Sequence, residues 1–170
     1  MSPDDRTVNI LARAGGRHAP ALLALWPRAW PELRERIAEY LAAVGHDLPA
    51  DAGNTGVMEA LALAARPGEA GAGNSRLVEL VSSSSAAASA LLPVTAARAD
   101  ARFVPVLVAI ARHHPSMKER TLEVLAGLPL DLSRDAAVPD DLVEAEIVSH
   151  AAARRVTGYR LAALAGWRAD

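Results

Sequence analysis

The stretch RAWPELRERIAEYLAA, Arg28–Ala43, decides the fold, because the chain states it twice. Residues Arg112–Gly127, 84 positions later, read RHHPSMKERTLEVLAG. Seven of the sixteen aligned positions are identical: Arg28/Arg112, Pro31/Pro115, Glu35/Glu119, Arg36/Arg120, Glu39/Glu123, Leu41/Leu125 and Ala42/Ala126. Leu33/Met117 and Arg34/Lys118 are near-matches. In the first copy Leu33, Ile37, Tyr40, Leu41 and Val44 recur at helical spacing, with Glu32, Arg34, Glu35, Arg36 and Glu39 assigned to the outer face. Pro31 suits the first helical turn, where no amide is needed, and Gly45 sits where a left-handed residue would stop the helix.

Skipping one residue extends the likeness upstream. RHAPALLAL (Arg17–Leu25) against RFVPVLVAI (Arg102–Ile110) matches Arg17/Arg102, Pro20/Pro105, Leu22/Leu107 and Ala24/Ala109. The repeated unit is a helix, a proline-marked turn and a second, amphipathic helix. Its two copies span residues 17–45 and 102–128, and a degenerate third hairpin is expected between them. A repeated αα-hairpin marks a solenoid, and half of 84 is about 42, within the roughly 40–47 residues of HEAT and armadillo units.

The chain thus resembles the HEAT-like helical repeats, through Pro31, Leu33, Arg34 and Leu41 in one copy and Pro115, Met117, Lys118 and Leu125 in the other. The resemblance implies a second helix that opens on proline, an aliphatic residue and a base. It also implies stacked antiparallel hairpins as a fold. Two features depart from the family: neither turn carries its usual aspartate, and no middle copy is visible by identity.

Composition agrees with helices. Ala, Leu, Arg and Glu dominate, and all are strong helix formers. Alanine supplies 38 of 170 residues, and there is one Phe, two Tyr and three Trp, so helix faces are small and can approach closely. With 51% apolar residues and this length, one domain over residues 1–170 with its own core is expected. The fold class read from the sequence is all-α, a short solenoid or a helical bundle of about seven to nine helices.

The remaining helices follow from breakers and caps. They are expected at Asp5–Ala14, from Ala19 to the limit set by Pro27, and at Thr55–Ala65. Another should follow Asn74 or Ser75, and a last one should cover Asp141–Ala165. The run SSSSAAAS predicts a break near residue 84, because serine competes for backbone hydrogen bonds. Pro93 predicts a bend or interruption. Asp100 is placed to cap the helix that begins the second copy.

Several function classes fall away. Net charge is −2, lysine occurs once (Lys118), and Arg and Glu are interspersed, so the clustered basic footprint of a nucleic-acid binder is missing. With no cysteine there is no thiolate ligand or nucleophile. The N-terminal MSPDDRTVN lacks the apolar core of a secretory signal, and the longest apolar run, Phe103–Ala111, is too short for a bilayer. A cytoplasmic protein without cofactor is expected. The bias to Arg and Ala is the compositional mark of GC-rich bacterial genomes.

Chemistry-bearing residues are sparse. His113 and His114 adjoin at a turn and point apart, a poor bidentate ligand set. His150 follows Glu146 by one helical turn, a spacing at which the carboxylate reaches the imidazole. These four are the candidate catalytic groups of an alternative reading, a small all-α enzyme or ligand-binding protein with a pocket between helices. Gly73, Asn74, Ser75 and Arg76 open a helix after a glycine-rich loop, a place where free amides attract anions. No histidine pair has zinc-site spacing.

The preferred reading is a non-enzymatic interaction or scaffold module, an adaptor whose stacked hairpins hold another protein or a peptide. Trp26 and Trp30 at the hairpin tip, with the rows Arg34, Arg36, Lys118 and Arg120, form the expected contact surface. Self-association into a homo-oligomer is a further expectation from the small helix faces.

Overall fold

A computed structural model of the chain describes residues 16–53, 55–66, 72–128, 139, 141–143 and 157–162. Its regular elements are all helical, with no strand among the described residues. Seven α-helices follow in order: α1 Ala19–Leu25, α2 Pro31–Ala43, α3 Gly56–Ala65, α4 Ala72–Ser83, α5 Ser85–Arg98, α6 Val104–His113 and α7 Lys118–Ala126. Short 3-10 turns at Gly16–His18, Trp26–Arg28, Ala101–Phe103 and Pro115–Met117 adjoin them. Residues 141–143 and 157–162 are helical as well, within the expected last helix. The segment Asp5–Ala14 lies outside the described residues. Helices packed on helices in this way make a helical bundle or short solenoid. Among the described residues no helix is long and apolar enough to cross a membrane.

The composition suggests one domain; the contacts group the chain into two compact units, Met1–Arg98 and Ala99–Asp170. At the boundary, Ala99 has φ of 48°, a left-handed conformation that ends α5 in a residue other than glycine.

In the first unit α3 and α5 are central, since each packs on the other, on α2 and on α4. Both helices bury small residues: Ala60, Ala64 and Ala65 on α3 and Ala87 and Ala88 on α5 are all fully buried. Short side chains let the axes come close, and Leu61, Leu91 and Leu92 supply the larger apolar volume. On α2, Ile37, Tyr40 and Leu41 are buried as the periodicity predicts. Glu39, expected outside, is only 8% exposed and meets Arg36 Nη1 at 2.9 Å. The alanines Ala38, Ala42 and Ala43 widen the buried stripe, so α2 is covered on more than one side.

Local chemistry sets the helix ends. Thr55 Oγ1 accepts from the Met58 amide at 3.4 Å and starts α3. The Ser82 and Ser83 hydroxyls donate back to the Val78 and Glu79 carbonyls at 2.6 and 2.9 Å, and Ser84 Oγ accepts from the Ala87 amide at 3.2 Å. That exchange of partners ends α4 and begins α5 at Ser84, the break read from the serine run. Helix α5 runs on through Pro93, where the buried Thr95 hydroxyl donates to the Leu92 carbonyl at 2.9 Å. Helix α4 begins at Ala72, earlier than a cap at Asn74 or Ser75 allows.

Arg98, the last residue of α5, closes the far ends of two other helices. Its Nη1 donates to the Ala64 and Ala65 carbonyls of α3 at 2.8 and 3.1 Å and lies 3.5 Å from the Ala42 carbonyl of α2. Last-turn carbonyls have no partner within their own helix, and a cation there is also attracted by the negative end of the helix dipole. Gly45 (φ 71°) ends α2 as expected, its left-handed backbone being the reason for glycine, since a β-carbon there would only reach ordinary contact with the Arg98 guanidinium at 3.5 Å.

In the second unit Asp100 Oδ1 accepts from the Arg102 amide at 3.0 Å and caps the entry to α6. Helix α6 buries Val104, Val106, Leu107, Ala109, Ile110 and Ala111 and packs on α7, which buries Thr121, Leu122 and Leu125.

Candidate interaction surface

The two tryptophans of the first hairpin tip have opposite fates. Trp26 is 2% exposed, and its Nε1 donates to Asp51 Oδ1 at 3.0 Å, tying the α1–α2 turn to the loop after α2. Trp30 is 63% exposed. The reason is local: Trp26 ends α1 on the side of buried Ala19, seven residues earlier, whereas Trp30 sits in extended backbone ahead of Pro31. Only Trp30 of the pair belongs to a surface.

The basic rows are partly structural. Arg34 lies across the Trp26 ring, its guanidinium carbon 5.7 Å from the ring centroid, and donates to the Trp26 and Pro27 carbonyls at 3.3 and 3.4 Å. It therefore holds the turn. Arg36 is paired with Glu39. Lys118 and Arg120 stand half-buried at the start of α7.

Arg76 is engaged twice. Its Nε and Nη2 donate to the two oxygens of Glu59 on α3 at 2.9 and 3.2 Å, and Nη1 donates to Glu79 at 3.0 Å. The hydrogen bonds from Arg76 hold the Glu59 carboxyl below its ordinary range, and the carboxylates push the guanidinium further up. With Gly73, Asn74 and Ser75, Arg76 thus forms the first turn of α4, its charge met by two carboxylates of the protein itself.

His113 is exposed and His114 half-buried at the α6–α7 turn, while Glu146 and His150 lie outside the described residues. Among the described residues no group of three metal-ligating side chains converges. A shallow, open cleft of about 600 Å³ in the first unit has Asp47, Leu48, Ala50, Ala62 and Arg66 on its walls.

One surface was hidden in the sequence reading. On α1, Ala21, Ala24 and Leu25 at i, i+3 and i+4 share one face, and all three are exposed, as are Arg17 and Arg28 in the 3-10 turns on either side. Leu25 is 53% exposed. Ala19 and Trp26, on the opposite side, are buried. The aligned residues of the second hairpin behave otherwise: Val106 and Ile110 are fully buried and Ala109 is 7% exposed. Arg102, the counterpart of Arg17, has a side chain only 11% exposed, with Nε 3.2 Å from Asp100 Oδ2. The signal was available as three small or aliphatic residues at helical spacing between two arginines, but spacing alone does not tell which side of α1 is covered.

No family model, curated protein or solved structure matches the chain.

Proposed function

We propose that the chain is a non-enzymatic helical interaction module, an adaptor or scaffold of HEAT-like hairpins that holds another protein. The observation that carries this reading is the contrast between α1 and α6: aligned faces of similar apolar character, one exposed and one buried. A helix face of Ala21, Ala24 and Leu25 offers apolar contact, and Trp30, exposed just ahead of α2, is of a residue type that carries much of the binding energy at interfaces. The well-satisfied polar groups elsewhere, such as the Glu59–Arg76–Glu79 triad and Arg98, act as fasteners within the fold. Affinity capture from the native host, with mass spectrometry and light scattering, tests the proposal. A stoichiometric companion or a defined homo-oligomer is expected with the natural chain. A monomer that retains nothing contradicts it.

A further inference from the structure

We infer that the turn between α1 and α2 binds the same turn of a second copy of the chain; the inference rests on the interaction reading above. The exposed large apolar side chains among the described residues are Leu25, Trp30 and Tyr159, and the first two flank this one turn. The turn is held in place. Trp26 Nε1 donates to Asp51, Arg34 donates to the Trp26 and Pro27 carbonyls, and Pro27 and Pro31 each fix a backbone angle. Little conformational freedom is left to lose when Trp30 is covered, which favours binding through it.

The charges around Trp30 choose the partner. Ala29 and Trp30 are extended, so Arg28 and Glu32 lie on either side of Trp30 along the chain. Glu35 shares a face of α2 with Glu32. Arg28, Glu32 and Glu35 are all exposed, and none of them is in an ion pair among the described residues. A partner of one sign satisfies one side of Trp30 and repels the other. The same turn, related by a two-fold axis near Trp30, satisfies both, because each Arg28 then faces the acids of the other copy. Two exposed indoles meet at the axis, where offset stacking adds to the area they bury. Net charge is only −2, so little long-range repulsion opposes two copies. A handful of side chains is fewer than the roughly 20–30 residues a side of a standard interface, so the dimer is weak and depends on concentration.

The second hairpin shows what the first lacks. There Arg112, the counterpart of Arg28, meets Asp141 Oδ1 at 3.0 Å. Ile110, the counterpart of Leu25, is fully buried, and His114 stands half-buried in the place of Trp30. On the first turn the same needs, an opposite charge and an apolar cover, are left to the second copy.

Sedimentation equilibrium of the full chain at concentrations up to about 1 mM, the weak end of specific binding, tests this. A reversible monomer–dimer equilibrium is expected, weakened about tenfold or more by Trp30→Ser. Arg28→Glu makes the charges around Trp30 wholly acidic, and Glu32→Arg with Glu35→Arg makes them wholly basic. Each of these two variants should be monomeric alone, and an equimolar mixture of the two should dimerise again. Every substituted position is exposed, so circular dichroism and melting should stay close to those of the natural chain. A dimer indifferent to Trp30→Ser and to both charge reversals overturns the inference, and so does a mixture that stays monomeric. A natural chain that is monomeric throughout but retains a host protein overturns it and leaves the interaction reading standing. A monomer that retains no host protein removes both.

Discussion

In the first hairpin α1 buries Ala19 alone, while α2 buries every residue from Ile37 to Ala43. In the second, α6 buries six of its ten residues and α7 only Thr121, Leu122 and Leu125. Yet both hairpins enter on a 3-10 turn, carry proline in the first turn of the first helix, and turn at a proline into the second. From Pro31 to Ala38 and from Pro115 to Leu122 the order of exposed, half-buried and buried positions agrees everywhere except at Arg36 and Arg120. The shared residues thus specify the hairpin itself, and the unshared ones specify which helix is covered. Val106 and Ile110 stand where Ala21 and Leu25 stand, and Tyr40 stands where Val124 stands. Burial follows the neighbours each copy meets.

The comparison yields expected outcomes, beginning with the largest. Trp26 has no aromatic counterpart in the second hairpin, and it fills the core beneath its turn. Trp26→Ala should cost about 3–5 kcal/mol in chemical denaturation. A loss below about 1 kcal/mol, the size of a surface substitution, would contradict the assignment of Trp26 to the core.

Leu41 and Leu125 are identical, aligned and fully buried. Alanine at either should cost about 2–5 kcal/mol, since both lose the same methyl groups from packed surroundings. A large effect at Leu41 with none at Leu125 breaks the equivalence of the second helices.

Arg98 sharpens the difference, because it joins α5 to the ends of α2 and α3 within the first unit. Arg98→Met keeps the aliphatic stem and leaves the Ala64 and Ala65 carbonyls without their donor. A loss of about 1.5–3 kcal/mol is expected in thermal or urea unfolding, as for hydrogen bonds to a charged group. An unchanged melting curve would show that water serves those carbonyls equally well.

The smallest effect concerns pH. The Glu59 carboxyl is lowered from the ordinary 4.5 by its hydrogen bonds from Arg76, so the native state holds its charged form more firmly than the unfolded chain does. The resulting stabilisation is present above the ordinary value and is lost as pH falls through the lowered one. Both groups are exposed, so the effect is modest and weakens with salt. An NMR titration should place the Glu59 midpoint below that of other exposed glutamates, and Arg76→Gln should raise it. A midpoint unmoved by that substitution would deny the contact.

How far the sequence reveals all this depends on range. Helix type and several ends are local matters, and Pro31, Gly45, Thr55, Asp100 and the serines at 82–84 carry them within a few residues of themselves. The start of α4 at Ala72 shows the limit of that logic, since Asn74 looks like a cap and is instead inside the helix. Arg98 could not be read at all: its acceptors lie 33 and 34 residues away, and an arginine ending a helix looks like any dipole-complementing residue. Glu39 and Trp30 fail in opposite directions. An acid on an amphipathic helix is nearly buried beside Arg36, and a large aromatic ahead of a proline stays in water. Residue type sets a tendency in each case, and packing on α3 and α5 decides. The surface arginines were legible as charges, but their partners were not, so Arg34 and Arg76 looked available while Trp26, Pro27, Glu59 and Glu79 engage them.

Amide hydrogen exchange resolved along the chain measures the inversion of the two hairpins most directly, since protection tracks burial and local opening. The account predicts slower exchange in α2 than in α1, and slower exchange in α6 than in α7. The same order in both hairpins, first helix or second helix slower throughout, would contradict it.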